Sequence, residues 1–271
     1  MIKLVATDID GTLLEEGTDG LNEEIFDLIL ELKKKGVVFT AASGRQYTSI
    51  YNLFQPVANE MIFVSENGAY TVCRGQDIRE IGMKRSKVNR LIEEIRSVPG
   101  CEIGFSCKGC MYIESEDEKF SDLLINGYHN KVEKTDNLLE IDEPVIKIAL
   151  YKEDGVGDIY EQFSERWKDT FRVMISGEKW IDFTEYAADK GNAIAHIQKV
   201  LNFTEEETMV FGDNDNDIGM FAHAKYSYAI GNAKDSVKKA AKFTADTSAN
   251  HGVLKVLRQY IEECCPDSIS R

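Results

Sequence analysis

The chain has 271 residues, 43% hydrophobic and 29% charged, a globular composition with enough apolar material for one large domain or two smaller ones. A formal net charge of -15, a pI near 4.8 and the lack of a basic run argue against a nucleic-acid-binding surface. No apolar run approaches a membrane span, the opening MIKLVATDIDG has no secretory pattern, and six cysteines in this length call for no disulfide scaffold, so a cytoplasmic protein is expected.

Lys3 to Thr7 reads as a short buried strand, followed by a turn at Asp10-Gly11-Thr12. Asn22 to Lys35 reads as an amphipathic helix, with Ile25, Leu28, Ile29 and Leu32 on one face, Asn22 as its cap and Gly36 as its stop. A strand over Val37 to Ala42 completes a βαβ unit with a right-handed crossover. The rhythm continues with a helix over Tyr47 to Phe54, a strand over Met61 to Ser65, and a turn at Asn67-Gly68 into Tyr70-Thr71-Val72.

From about Gly82 the texture changes. Helices are expected over Lys84 to Val98, Asp117 to His129 and Asp158 to Trp167. Strands are expected over Cys101 to Phe105, Met111 to Ile113 and Val145 to Tyr151, with a hairpin over Phe171 to Ser176 and Trp180 to Phe183. From Lys190 the parallel rhythm returns, with a helix over Ile194 to Leu201 and a strand over Thr208 to Phe211, ending in a helix over Val253 to Cys264. The reading is an α/β protein: a Rossmann-like parallel-sheet core over 1–81 and 188–271, with an α+β cap inserted over 82–187.

Four clusters carry the chemistry. Strand periodicity puts Asp8 and Asp10 on one side of the chain, at the strand end where a parallel sheet opens its ligand crevice. Paired carboxylates there call for a compensating cation, and magnesium favours oxygen ligands and phosphate. Asp8 can then attack phosphorus while Asp10 exchanges a proton with the leaving oxygen and Thr12 donates a hydrogen bond. After the second strand, a hydroxyl or N–H of Ser43-Gly44 can hold a phosphoryl oxygen, and Arg45 can assist. Lys190-Gly191 offers a lysine to screen the phosphoryl group, with Asp189 as a possible helix cap. Gly212-Asp213-Asn214-Asp215-Asn216-Asp217 offers Asp213 as a metal ligand, Asn216 to order the loop, and Asp217 to bind metal through water or to orient its neighbours. Each cluster alone also reads as an acidic turn, a cap or a solvated lysine; their recurrence at successive strand ends is what points to phosphoryl transfer.

Together these motifs resemble the haloacid dehalogenase superfamily, in its Cof-like sugar-phosphatase branch with a large α+β cap. The resemblance implies a magnesium-dependent phosphatase acting on a small phosphorylated metabolite. It makes Asp8 the residue that becomes aspartyl phosphate and Asp10 the acid/base, whose backbone carbonyl joins the metal shell. It assigns Ser43 and Asn216 to the phosphate site, direct metal contact to Asp213, and a supporting role to Asp217. Sugar phosphates lead as substrates, with flavin mononucleotide or pyridoxal phosphate as alternatives. Asn67-Gly68-Ala69, Gly231-Asn232-Ala233 and Asn250-His251-Gly252-Val253 are further likenesses; Ser43 stands where the family often has Thr, and His251 where an acidic residue is common.

Cys107-Lys108-Gly109-Cys110 has metal-like spacing but lacks a second ligand pair for zinc, and the four histidines form no ligand spacing. Trp167 and Trp180 read as core or surface of the cap rather than as substrate platforms. A phosphomutase and a phosphate-binding module remain alternatives at this level, separable by phosphate release and by turnover. Oligomeric state is left open.

Overall fold

The computed structural model describes residues 1–15, 18 and 20–263; Cys264 and Cys265, and with them the expected end of the last helix, lie outside the described residues. The first stretch of chain forms β1 (Leu4–Thr7), α1 (Glu24–Lys34), β2 (Val38–Ala42), α2 (Tyr47–Leu53), β3 (Met61–Ser65), β4 (Tyr70–Cys73) and β5 (Gln76–Glu80). The middle forms α3 (Arg85–Arg96), β6 (Cys101–Ser106), β7 (Met111–Ile113), α4 (Glu118–Asp122), β8 (Val132–Lys134), β9 (Lys147–Lys152), α5 (Tyr160–Trp167), β10 (Arg172–Ile175) and β11 (Trp180–Thr184). The last forms α6 (Lys190–Leu201), β12 (Thr208–Gly212), α7 (Ile218–Phe221), β13 (Tyr226–Ala229), α8 (Asp235–Ala240), β14 (Phe243–Thr244) and α9 (Gly252–Glu263).

The chain divides into two compact units, one of 1–44, 50–78 and 189 onward, the other of 45–49 and 79–188. The first unit holds an eight-stranded sheet in the order β14-β13-β12-β1-β2-β3-β4-β5. Strands β13, β12, β1, β2 and β3 run parallel, and β4 is antiparallel to β3. All four residues of β1 are buried, as expected for a strand covered on both faces, which explains its uninterrupted apolar run. Helix α1 buries Ile25, Leu28, Ile29 and Leu32, the face read from its spacing. It ends at Gly36, whose φ of +76° lets its N–H reach Lys33 O at 2.9 Å while Val37 N–H reaches Leu32 O at 3.0 Å. Because β1 lies between β12 and β2, the strand order reverses beside it, the place where open α/β sheets bind ligands.

The second unit holds a six-stranded sheet in the order β10-β11-β9-β6-β7-β8, antiparallel except for the β7–β8 pair. Alternation along β9 separates its faces. Ile148 and Leu150 join Val88, Leu91, Ile92 and Ile95 of α3 and Phe163 and Trp167 of α5 in one core. Ala149 and Tyr151 join Met111, Phe120 and Trp180 in a second. Trp167 is thus a core residue, stacked on Phe171 with its Nε1 donating to Glu94 at 3.1 Å.

Several expectations are corrected. Helix α6 begins at Lys190 rather than Ile194, because Asp189 accepts from Asn192 N–H at 3.1 Å and caps a turn the apolar pattern does not mark. The stretch expected to be one helix over Asp117 to His129 is α4 followed by a π turn at Leu123–Gly127, where Tyr128 N–H bonds Leu123 O at 2.9 Å beside the poor helix formers Asn126 and Gly127. Strands β5 and β8 were absent from the sequence reading, being polar segments with no apolar alternation. The segment 45–49, expected with the core, groups with the second unit, where Ser49 Oγ donates to Tyr128 O at 3.1 Å and Gln46 Oε1 accepts from Lys131 N–H at 2.9 Å.

Candidate active site

The ends of β1, β2, β3 and β12 bring together residues far apart in sequence. Asp8 follows β1, with its N–H bonded to Phe211 O of β12 at 3.1 Å. Its Oδ1 accepts from Lys190 Nζ at 2.6 Å, and the same ammonium donates to Asp217 Oδ1 at 2.8 Å. Lys190 is 1% exposed, so its charge faces these carboxylates and not solvent. Asp217 is fully buried, and its Oδ2 accepts from the N–H groups of Asp213 and Asn214, both at 3.0 Å. Asp217 thus holds Lys190 and the start of the acidic loop at once.

Asp213 is fixed from the opposite side by Thr12, whose Oγ1 donates to Asp213 Oδ1 at 2.5 Å. The turn carrying Thr12 needs glycine at position 11: φ is +78°, and a Cβ there would lie 2.5 Å from Asp213 Oδ2. Asn232 Nδ2 donates to Gly11 O at 2.7 Å, while its Oδ1 accepts from Ser248 N–H at 2.9 Å. Asp10 is exposed and its side chain stands outside the carboxylate group formed by Asp8, Asp213 and Asp217.

The electrostatics follow from burial. Desolvation, with the nearby Asp217 and Asp213 carboxylates, holds Asp8 well above the usual carboxylate range despite Lys190. Desolvation and Asp217 also raise Asp213. Burial alone would lower the Lys190 ammonium, but Asp217 and Asp8 override it and keep it above the usual lysine range. Asp8, Asp213 and Asp217 offer oxygens within 4.8 Å of one another, the one such group among the described residues. Hard oxygen donors, crowded and short of positive charge, suit a divalent cation of the magnesium type.

Ser43, 1% exposed, continues β2 with its N–H on Val64 O at 2.9 Å, and its own carbonyl accepts from Asn67 N–H at 3.0 Å. Gly44 lies against the Asn67 amide, 3.2 Å from where a Cβ would stand. Asn216 does more than order its own loop: its Nδ2 donates to Asn67 Oδ1 at 2.9 Å. Arg45 falls in the second unit. Asn67 and Asn232 were visible in the sequence only as family likenesses without a role, since each acts through a contact more than a hundred residues away. Cys107 and Cys110 are buried at a hairpin turn, and His251, exposed at φ +56°, forms a bend before α9.

Residues 5–257 match the haloacid dehalogenase-like hydrolase family. The chain belongs to that family. The hydrolase is 29% identical over 266 residues to the 5-amino-6-(5-phospho-D-ribitylamino)uracil phosphatase YbjI of Escherichia coli, covering 98% of each chain. It is 24% identical over 262 residues to the Bacillus subtilis phosphatase YcsE, described for the same compound, covering 96% of each. A crystal structure of a Eubacterium rectale protein superposes with a TM-score of 0.88 at 27% identity, covering 96% of this chain and 99% of that one. The hydrolase is a phosphatase of the Cof-like branch.

Proposed function

We propose that this phosphatase is magnesium-dependent and works through an aspartyl phosphate on Asp8. The observation that carries the reading is the buried Asp8–Lys190–Asp217 chain beside Asp213, at the switch point of the parallel sheet. An oxygen of Asp8 attacks phosphorus as the bond to the leaving oxygen breaks, and Asp10 gives that oxygen a proton. Asp10 then takes a proton from water as the water oxygen attacks phosphorus and the bond to Asp8 breaks. Inorganic phosphate leaves, Asp8 is again a carboxylate and Asp10 again carries its proton. Lys190 screens charge throughout, and Ser43, Gly44 and Asn216 bound the phosphate pocket. Asp8, Asp213 and the Asp10 carbonyl would hold the metal, while Asp217 stays bound to Lys190 and two N–H groups. When bound, magnesium neutralises phosphoryl oxygens and relieves the carboxylate repulsion.

For substrate, the reading favours a phosphorylated sugar or polyol, or a phosphorylated cofactor or its precursor. The E. coli and B. subtilis relatives, named for a phosphoribitylamino-uracil, support that class. The inserted unit is assigned the choice of leaving group. Its cleft of about 600 Å³, lined by Phe120, Tyr128, Tyr151 and Trp180 with charged residues around them, supports recognition of a part-apolar, part-polar group. A reducing, cytoplasmic setting accords with free thiols at Cys73, Cys101, Cys107 and Cys110. The test is a magnesium-supplemented screen of sugar phosphates, flavin mononucleotide, pyridoxal phosphate and the phosphoribitylamino-uracil, with wild type and Asp8→Asn in parallel. Phosphate release by wild type alone is expected. Equal release by both sinks the assignment of Asp8, and isomer formation without phosphate would make the enzyme a mutase.

A further inference from the structure

Glu66, Asn67 and Gly68 follow β3 with three successive left-handed φ values, +48°, +54° and +95°. Glycine and asparagine accept that conformation, but glutamate does so only against a steric penalty on its Cβ. Strain of this kind persists only where the surroundings over-determine it. Here the surroundings are the loops of the candidate site. Asn67 N–H donates to Ser43 O at 3.0 Å, and the Asn67 amide covers Gly44, so the turn grips the phosphate loop after β2. Asn67 Oδ1 accepts from Asn216 Nδ2 at 2.9 Å, so the same amide grips the acidic loop after β12. Gly68 lies against the start of α6: a Cβ on it would stand 2.3 Å from Asp189 O, one residue before Lys190. The turn therefore touches the loops bearing Ser43, Lys190 and Asp217, and Asn67, 7% exposed, is the side chain common to two of them.

We propose that Asn67 is a positioning residue for phosphoryl transfer, holding the Ser43–Gly44 loop and the Asn216 loop in the register the transferring phosphoryl group requires. The proposal rests on the reading of Ser43, Gly44 and Asn216 as the phosphate pocket. Asn67 acts through those residues, and its left-handed backbone fixes where its amide can point. A loop displaced by about 1 Å would weaken contacts to a trigonal-bipyramidal phosphoryl group more than contacts to a bound tetrahedral phosphate, and misplacement on that scale costs up to about 100-fold in rate.

The test compares wild type with Asn67→Gly, which tolerates the left-handed backbone but lacks the amide. Turnover of p-nitrophenyl phosphate is read together with inhibition by orthovanadate, which mimics the transferring group, and by inorganic phosphate. We expect kcat to fall by roughly 30-fold or more and the vanadate inhibition constant to rise by about 10-fold, with the phosphate constant changed by less than about 3-fold. A merely structural role would lower the active fraction and leave both inhibition constants unmoved, and that result overturns the proposal. Asn216→Ala removes the same hydrogen bond from its other end, so it must reproduce the split, and it carries the test if the glycine variant does not fold. The double variant should lose no more than the worse single one; additive losses also overturn the proposal. Asp8→Asn keeps the two readings apart: if it retains turnover, the active-site assignment fails whatever Asn67→Gly does.

Discussion

Replacing Asp8 by asparagine tests the electrostatics of the site apart from its catalysis. The carboxylates of Asp8, Asp213 and Asp217 approach within 4.8 Å. At an effective dielectric of about 20, each like-charged pair at that distance costs about 3.5 kcal/mol, so ionised Asp8 bears about 7 kcal/mol of repulsion. On the same scale Lys190 Nζ, at 2.6 Å, returns about 6.4 kcal/mol. The two nearly cancel, and burial of a side chain in a residue only 5% exposed tips the sum against the charged form. Asp8→Asn keeps the size and one oxygen for Lys190 while removing that charge. The metal-free variant should therefore be more stable by about 1–2 kcal/mol, or about 2–6 °C in melting temperature for a chain of this size. Because the folded state raises the Asp8 pKa, wild-type stability is lost as pH rises through the folded value, so the gap should widen toward alkaline pH. Calorimetry in chelator, with a second series in magnesium, reads this directly; magnesium should narrow the gap by favouring wild type. A variant that melts clearly below wild type in chelator would show that the Lys190 attraction dominates and that the charge account is wrong.

Two glycines with nearly the same φ separate strain from collision. Gly11→Ala (φ +78°) should lose at least about 10-fold in kcat/KM because its Cβ meets Asp213, whereas Gly36→Ala (φ +76°, nothing within 4 Å) should lose about 1 kcal/mol of stability and keep its activity; equal activities would refute this. Burial pushes the Cys107 thiol up to about 12 and the Cys110 thiol up to about 11. Both should resist iodoacetamide at pH 8 in the folded protein, as read by peptide mass mapping, and any stability they lend is lost as pH rises from the unfolded thiol range toward those values. Ready labelling of both at pH 8 would contradict their burial.

Much of the candidate site's edge of the sheet was legible because short-range pattern and position coincide there. Buried apolar runs mark β1, β2 and β12, and Asp8, Ser43 and Asp213 follow them directly. Lys190 was legible as a residue type before a helix, but its partners were not: the Asp8–Lys190 contact spans 182 positions. Separations of 149 and 221 positions hid the Asn67–Asn216 bond and the hold of Asn232 on Gly11. Asp217 was read with two roles, and its contacts with Lys190 and two backbone N–H groups were not visible in the sequence. Strand β5, at the edge of the eight-stranded sheet, and β8, at the edge of the six-stranded sheet, escaped notice because polar edge strands carry no alternation, and the π turn after α4 because the apolar Leu123, Leu124 and Ile125 continue the helical pattern up to Asn126 and Gly127.

The most direct test of the central claim is to trap the intermediate. Wild-type enzyme turning over a phosphate ester with magnesium is quenched in acid, treated with borohydride and mapped by mass spectrometry. An acyl phosphate on Asp8 would be reduced to homoserine at position 8, in a substrate-dependent way and not in Asp8→Asn. Steady phosphate release with position 8 unmodified, together with turnover retained by Asp8→Asn, would contradict the account.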